Sequence, residues 1–263
     1  MINGLKRVLI LPDVHGGNHD ERAWRLMMQV ARAFPPDGIV VLGDFFDCYC
    51  VSDHRKDARR ERSLKKELSE GFRLLRELEA LGAEWLIFIE GNHEWRLPRY
   101  LDDCAPELRD WVLDKWDLHF KKWTVVKYMD SVKKGAINYT HDLGKSGPGA
   151  VLDALISFGD NAVLGHTHVM EYRVRGDANG IAHVGASFGW LGDREKIDYK
   201  HQMKAKRDWV LGFGWGHMRP SGVTYLAPIP LVDYTCVVEG RLFEQRALRT
   251  SVSDDAALIE EGK

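Results

Sequence analysis

The sequence predicts an α/β protein in which two β-sheets pack into a sandwich. Two observations support this prediction. In the first third of the chain, apolar strand-like runs alternate with amphipathic helical segments in the order βαβαβ. This alternation predicts a parallel sheet with helices on its faces, because each crossover must return the chain to the same edge. From residue 123 onward the chain changes to short β-rich segments, which predict a β-rich second half.

The first predicted strand covers residues 7–11 and runs directly into Asp13 and His15. A helix should follow over residues 19–34, where large apolar side chains recur at helical spacing. The pair of prolines that begins at Pro35 should end this helix. The first unit is therefore a strand, a polar turn and a crossover helix.

The second predicted strand covers residues 39–42 and opens onto Asp44 and Asp47. A long amphipathic helix should then cover residues 57–81, since leucine and phenylalanine recur along one of its faces. Gly82 stands where a helix of this kind ends. The strand and helix pattern is thus repeated.

The third predicted strand, residues 85–89, is a run of large apolar side chains that stops abruptly at polar ones. It should be buried within a parallel sheet and deliver Asn92 and His93 to the sheet edge, where α/β proteins hold their active sites. Residues 97–116 then resemble a helix that Pro106 must interrupt.

The second half should contain three short strands, one helix over residues 149–158 and a β-hairpin. The strands end at histidines in two places, first at His141 and then at His166 and His168. The predicted strands lie at 123–128, 136–140 and 161–164, and the two arms of the hairpin at 172–175 and 181–184.

Composition narrows the classes of function. The formal net charge of -2 gives no overall attraction to polyanions, so any nucleic-acid binding must use a local patch. The four cysteines form no Cys-x-x-Cys pair, which favours a reducing compartment and a cytoplasmic location. We expect no signal peptide and no membrane span, a single domain over residues 1–250 and an acidic tail over residues 251–263. The sequence does not indicate an oligomeric state.

The polar residues at the strand ends form a candidate metal site. Imidazole and carboxylate together suit manganese, iron or zinc better than calcium or magnesium. Seven ligands are too many for one ion and about right for two divalent ions that share a bridging carboxylate. The candidate ligands are Asp13, His15, Asp44, Asn92, His141, His166 and His168, with Asp47 and His93 beside them.

The order of these motifs resembles that of the calcineurin-like metallophosphoesterase superfamily. The match consists of Asp-x-His at 13–15, Gly-Asp-x-x-Asp at 43–47, Gly-Asn-His-Glu at 91–94, His141, and Gly-His-x-His at 165–168. Each motif alone is weak, but five in the same order form a specific pattern. The resemblance implies a two-sheet α/β sandwich and a dinuclear metal centre that hydrolyses phosphoesters. For the two ions we expect manganese, with iron or zinc as alternatives.

The resemblance also implies a role for each residue. A hydroxide held between the ions would attack phosphorus, and His93 would stabilise the transition state and protonate the leaving oxygen. Asp47 would orient His93. Arg96 could supply positive charge to the substrate phosphate, or lie solvated on a helix face. One ion would be held by Asp13, His15, Asp44 and His168, and the other by Asp44, Asn92, His141 and His166.

The substrate is predicted less directly. Protein phosphatases of this superfamily usually continue Gly-Asp-x-x-Asp with Arg-Gly, whereas this chain continues with Cys48 and Tyr49. We therefore favour a phosphodiester, either nucleic acid or a nucleotide. The alternatives are a phosphomonoesterase and a non-catalytic binding or scaffold protein. A basic stretch at 54–62 and a basic, aromatic segment at 190–219 are candidate polyanion contacts, and we expect the latter to be a variable substrate or lid insertion.

Overall fold

The computed structural model describes residues 4–53, 56, 63–147, 149–196 and 208–245. Five α-helices lie in these ranges, together with three short 3₁₀ turns. The helices are α1 Glu21–Ala33, α2 Leu64–Glu79, α3 Arg96–Cys104, α4 Arg109–Asp117 and α5 Ala150–Phe158. The 3₁₀ turns are Tyr49–Val51, Pro106–Leu108 and Leu118–Phe120.

Thirteen strands are present in the described ranges. They are β1 Lys6–Leu11, β2 Gly38–Val41, β3 Trp85–Ile89, β4 Thr124–Val126, β5 Ser131–Lys134, β6 Ile137–Thr140, β7 Ala162–Leu164, β8 Met170–Gly176, β9 Ala182–Phe188, β10 Gly212–Met218, β11 Thr224–Pro230, β12 Thr235–Val238 and β13 Arg241–Glu244.

Most of the strands belong to two sheets. The first has six strands in the order β11-β10-β1-β2-β3-β4, and the second has five in the order β5-β6-β7-β9-β8. Strands β1 to β4 run parallel to one another, while β10 runs antiparallel to β1. In the second sheet β6, β7 and β9 are parallel. Strands β12 and β13 form a separate hairpin.

The alternating side chains of β1 show how the layers are built. Val8 and Ile10 belong to the apolar core between the two sheets, and Leu9 and Leu11 belong to the core under the helices. All four are buried, and burial of an aliphatic side chain of this size contributes about 1.5–3 kcal/mol. The predicted α/β sandwich of two sheets is therefore confirmed, with helices on its outer faces.

The helix starts follow from their capping residues. The Asp20 side chain accepts hydrogen bonds from the backbone N–H groups of Arg22 and Ala23, so α1 begins at Glu21, two residues later than predicted. Ser63 caps α2 in the same way. The earlier part of that predicted helix, together with all but residue 56 of the basic stretch 54–62, lies outside the described residues. None of the described helices is long and apolar enough to cross a bilayer.

One prediction for the segment 190–219 is wrong. Its end forms β10, which lies between β1 and β11 in the first sheet. Phe213, Trp215 and Trp190 are fully buried, so their rings cannot stack on bases, and this part is core rather than a lid. Residues 197–207, which carry most of its basic side chains, lie outside the described part of the chain, as does the tail from residue 246.

Candidate metal centre

Five strand ends meet at one edge of the sandwich. In the first sheet, the turns after β1, β2 and β3 carry two aspartates, one asparagine and two histidines. In the second sheet, the turns after β6 and β7 carry three more histidines. The structure brings all of them together with Asp47. These residues are Asp13, His15, Asp44, Asn92, His93, His141, His166 and His168.

Four of these side chains stand on left-handed backbone. The φ angles are 53° at His15, 48° at Asp44, 63° at His166 and 57° at His168. Such conformations are uncommon for residues other than glycine, cost about 1–3 kcal/mol each and gather at functional sites. The surrounding fold therefore holds these turns in place against a local conformational cost.

Two glycines in the motifs are required by close approach. A Cβ on Gly43 would lie 2.4 Å from Nδ1 of His141, and φ at this glycine is +99°. A Cβ on Gly91 would lie 2.2 Å from Oδ1 of Asp44. Either substitution would push a candidate ligand out of position.

We call Asp13, His15 and His168 the first cluster. Their ligand atoms all lie within 4.8 Å of one another. His168 Nε2 is 2.8 Å from Asp13 Oδ2 and 3.3 Å from His15 Nε2. Apart from this contact with His168, the buried Asp13 Oδ2 has no hydrogen-bond partner among the described residues, as expected for a carboxylate oxygen aimed at a cation. The residues of the first cluster therefore fit a divalent ion.

We call Asp44, Asn92, His141 and His166 the second cluster. The ligand atoms of its carboxylate and two imidazoles also lie within 4.8 Å of one another, and Asn92 Oδ1 is 3.0 Å from His141 Nε2. His141 Nδ1 donates a hydrogen bond of 2.7 Å to the Leu42 carbonyl. This bond places the proton on Nδ1 and leaves the Nε2 lone pair for a metal.

Asp44 lies between its histidine neighbours. Its Oδ1 is 3.4 Å from His141 Nε2 and its Oδ2 is 3.6 Å from His93 Nε2. Burial by itself would raise the pKa of Asp44, but the surrounding His93, His141 and His15 hold that pKa below its usual value. Asp44 is thus an ionised carboxylate whose oxygens lie within 4.8 Å of ligand atoms of His15 in the first cluster and of His141 and His166 in the second.

His93 forms a hydrogen-bonded unit with Asp47 and Arg96. His93 Nδ1 donates to Asp47 Oδ1 at 2.9 Å. Arg96 Nη1 donates to the Asp47 carbonyl at 2.8 Å, and Arg96 Nη2 lies 2.7 Å from His93 Nε2. Because a guanidinium can only donate, Nε2 is the acceptor of that contact. Burial lowers the pKa of His93, which agrees with a neutral ring.

Arg96 is only 9% exposed, so the solvated helix-face alternative is wrong. Its guanidinium lies beside the site, and its substrate-binding role stays a prediction.

A family model described as calcineurin-like phosphoesterase matches residues 6–239. The chain belongs to this family. It is a metallophosphoesterase, a metal-dependent hydrolase of phosphoric esters. The two clusters of this metallophosphoesterase suit a dinuclear site for divalent ions. No curated protein matches the sequence significantly.

Several solved structures are similar to this metallophosphoesterase at low sequence identity. Vps29 from Chaetomium thermophilum is 12% identical over 94% of this chain and 100% of its own, with a TM-score of 0.46. The phosphoesterase Yfce from E. coli is 16% identical over 84% of this chain and 98% of its own, with a TM-score of 0.42. A single mutant of Vps29 from Entamoeba histolytica is 13% identical over 90% and 95%, with a TM-score of 0.43.

Glu94 of the metallophosphoesterase was given no role by the sequence, although it belongs to the motif at 91–94. Its buried carboxylate accepts hydrogen bonds from the backbone N–H groups of Asp44 at 3.0 Å, Phe46 at 2.7 Å and Gly91 at 2.7 Å. Burial raises the pKa of Glu94 to about 7. Glu94 thereby ties the turn after β2 to the turn after β3.

Trp190 and Trp209 belong to the segment 190–219, which we predicted to contact substrate. They instead pack against His168, and we call this pair the tryptophan wall of the first cluster. Trp190 stacks on His168, with ring centroids 5.0 Å apart and planes 16° apart. Trp209 meets the same imidazole edge-on at 4.2 Å. The Leu191 N–H donates to the Asp13 carbonyl at 2.7 Å, which fixes this wall to the turn after β1. No local signal in the sequence indicates this packing.

A third group of possible ligands lies outside the two clusters. His19, Glu21 and Glu70 bring their ligand atoms within 4.8 Å. The guanidinium of Arg73 contacts Glu70 at 2.7 Å and Glu21 at 3.4 Å. Glu21 also pairs with Arg25 at 2.7 Å. Both carboxylates thus have arginine partners, so we interpret the group as an ion-pair network between α1 and α2.

Proposed function

We propose that this metallophosphoesterase is a dinuclear phosphodiesterase that acts on a nucleotide or nucleic acid. The observation that carries the proposal is the placement of Asp44 between two ligand clusters, with His93 on its other carboxylate oxygen at 3.6 Å. This arrangement gives one phosphate both a metal centre and an adjacent proton carrier. Asn18 supports this arrangement, since its side-chain Nδ2 donates a hydrogen bond to Asp47 Oδ2.

The proposed ligands are the seven residues of the two clusters. Their mixture of imidazole, carboxylate and amide oxygen suits manganese, which we propose as the native metal, with iron or zinc as alternatives. When bound, such ions polarise the phosphoryl oxygens and lower the pKa of water toward neutrality, which supplies the nucleophile.

The protein's own residues manage the proton. The hydrogen bond from Nδ1 to Asp47 fixes the tautomer and orientation of His93 and stabilises the imidazolium whenever Nε2 takes up a proton. A protonated Nε2 cannot accept from Arg96, so the guanidinium is then available to a phosphoryl oxygen. In the proposed step His93 first takes up a proton from solvent at Nε2 and then delivers it to the leaving oxygen, and the predicted charge contribution of Arg96 is made in the same step.

The residue after Asp47 favours a diester over a monoester. Cys48 is fully buried, and burial raises the pKa of its thiol well above the usual value, so the side chain stays a neutral thiol and offers no charge to a phosphate. A monoester dianion needs an additional cation there, whereas a diester carries one charge less.

The absence of disulfides among the four cysteines supports our proposal of a reducing, cytoplasmic location.

The test compares bis(p-nitrophenyl) phosphate with p-nitrophenyl phosphate under added manganese. We expect kcat/KM to be at least about tenfold higher for the diester, equivalent to ~1.4 kcal/mol in the barrier. A strong preference for the monoester would establish the phosphomonoesterase alternative instead. Inactivity of the protein on every phosphoester, with two metals confirmed by elemental analysis, would favour the non-catalytic binding protein.

A further inference from the structure

Two aromatic side chains lie next to the second cluster and have no part in the mechanism. The Tyr128 ring meets the ring of His141 edge-on, with centroids 6.2 Å apart. The Trp95 ring lies 6.5 Å from Tyr128, with the two planes only 32° apart. Tyr128 is half-buried, while Trp95 is 42% exposed. The two rings thus lead from the metal centre to the surface.

The fold fixes both rings relative to the metal centre. Trp95 follows the Asn92 turn directly, and its backbone N–H donates to the Gly91 carbonyl at 3.2 Å. Tyr128 follows β4, the strand that pairs with β3. The hydroxyl of Tyr128 donates to Asp142 Oδ2 at 3.2 Å. The rings are therefore held at set positions beside residues that belong to the second cluster or adjoin it.

We propose that Trp95 and Tyr128 form a base-binding subsite for a nucleotide whose phosphate lies at the second cluster. This inference rests on the proposed phosphodiesterase function and narrows its substrate class. A planar base can cover the exposed indole, and stacking on an aromatic side chain contributes about 1–3 kcal/mol per base. An alkyl group of a simple diester covers less of the ring and gains less.

The buried aromatics of residues 190–219 cannot serve this purpose. Trp190 and Trp215 are 0% and 1% exposed and pack inside the protein. Trp111 on α4 is 66% exposed, but no described contact joins its ring to the metal centre. Trp95 and Tyr128 are linked to the centre through His141, so we place the base there.

The experiment uses two diesters with the same leaving group, p-nitrophenyl thymidine 5′-phosphate and ethyl p-nitrophenyl phosphate. For Trp95→Ala we expect KM of the thymidine ester to rise about tenfold, while KM of the ethyl ester changes less than about twofold. Trp95→Phe should retain most of the preference because it keeps a ring. Trp111→Ala is the matched control, an exposed tryptophan whose loss should change neither KM.

Two results would overturn the subsite. One is a wild type with equal kcat/KM for both esters, and the other is a Trp95→Ala variant that weakens both esters equally. If neither ester is hydrolysed by metal-loaded protein, the proposed function fails, and the subsite is then judged by calorimetric binding of thymidine 5′-monophosphate. Binding about tenfold weaker in Trp95→Ala supports the subsite, whereas equal affinity or no binding by the wild type refutes it.

Discussion

The first and second clusters each contain one aspartate and two histidines, and the second adds an asparagine, but their surroundings differ. Asp13, His15 and His168 are all buried, at 0%, 5% and 6% exposure, and the tryptophan wall closes them from behind. In the second cluster Asn92 and His166 are only half-buried. The first cluster is thus enclosed, and the second is open on the side where substrate must enter.

The two clusters also differ in what orients their imidazoles. Nδ1 of His168 is buried and has no hydrogen-bond partner in the described part of the chain, and its ring stacks on Trp190. His141 is held by the bond from its Nδ1 to the Leu42 carbonyl. Ring packing thus supports His168 and a hydrogen bond orients His141, which shows that an imidazole ligand can be fixed in two physically distinct ways.

The largest effect should come from removing Asp44, which we propose as a ligand of both ions. Asp44→Ala should lose both ions and reduce activity to background, since each cluster loses a carboxylate oxygen. Asp13→Ala should lose the ion of the first cluster but retain more of the ion of the second cluster than Asp44→Ala does. Elemental analysis after gel filtration measures both variants. Retention of one full ion by Asp44→Ala would show that the two clusters do not depend on a shared ligand.

A second variant separates metal binding from proton transfer. His93→Ala should keep both ions, because His93 is not among the proposed ligands, and should lose about 100- to 10,000-fold in kcat. Kinetics on bis(p-nitrophenyl) phosphate at matched metal content provides the measurement. A metal loss as large as that of Asp44→Ala would contradict the assigned role.

A third variant tests orientation by packing. Trp190→Leu should weaken metal binding at the first cluster about 10- to 100-fold, because His168 loses the surface that holds its ring, and should leave the second cluster nearly unchanged. Trp190→Phe keeps an aromatic surface and serves as the control. Metal titrations followed by calorimetry should resolve two affinities. Equal weakening at both clusters would remove the distinction drawn between them.

The smallest effect should come from Glu94→Gln. The carboxamide has one carbonyl oxygen where the carboxylate has two, so at least one of the three backbone N–H groups loses its acceptor. An unsatisfied buried donor costs about 1–3 kcal/mol of folding free energy. Urea unfolding of metal-free protein measures this cost. Because Glu94 joins the turns that follow β2 and β3, Glu94→Gln should disturb the positions of the ligands more in the second cluster than in the first. A larger disturbance of the first cluster would contradict this prediction.

The sequence predicted the strands that carry ligands better than the strands that close the sheets. Apolar runs that stop at polar residues marked β1, β2 and β3. Strand β10 was missed because its residues fell within the segment 190–219, which we interpreted as a basic, aromatic substrate or lid insertion. A Cβ on Gly214 would lie 2.6 Å from the ring of Phe188. Gly214 therefore makes room for a side chain of the opposite sheet, a requirement that no local pattern reveals.

By itself, the sequence determined the fold class and the set of candidate ligands, since both depend on the order of short motifs and on hydrophobic periodicity. Only the tertiary structure decided how those ligands are supported. Glu94 reaches a backbone N–H 50 residues away, and Trp190 covers His168 from another part of the chain. Such contacts form only when distant segments pack against each other, so their geometry is a property of the assembled layers.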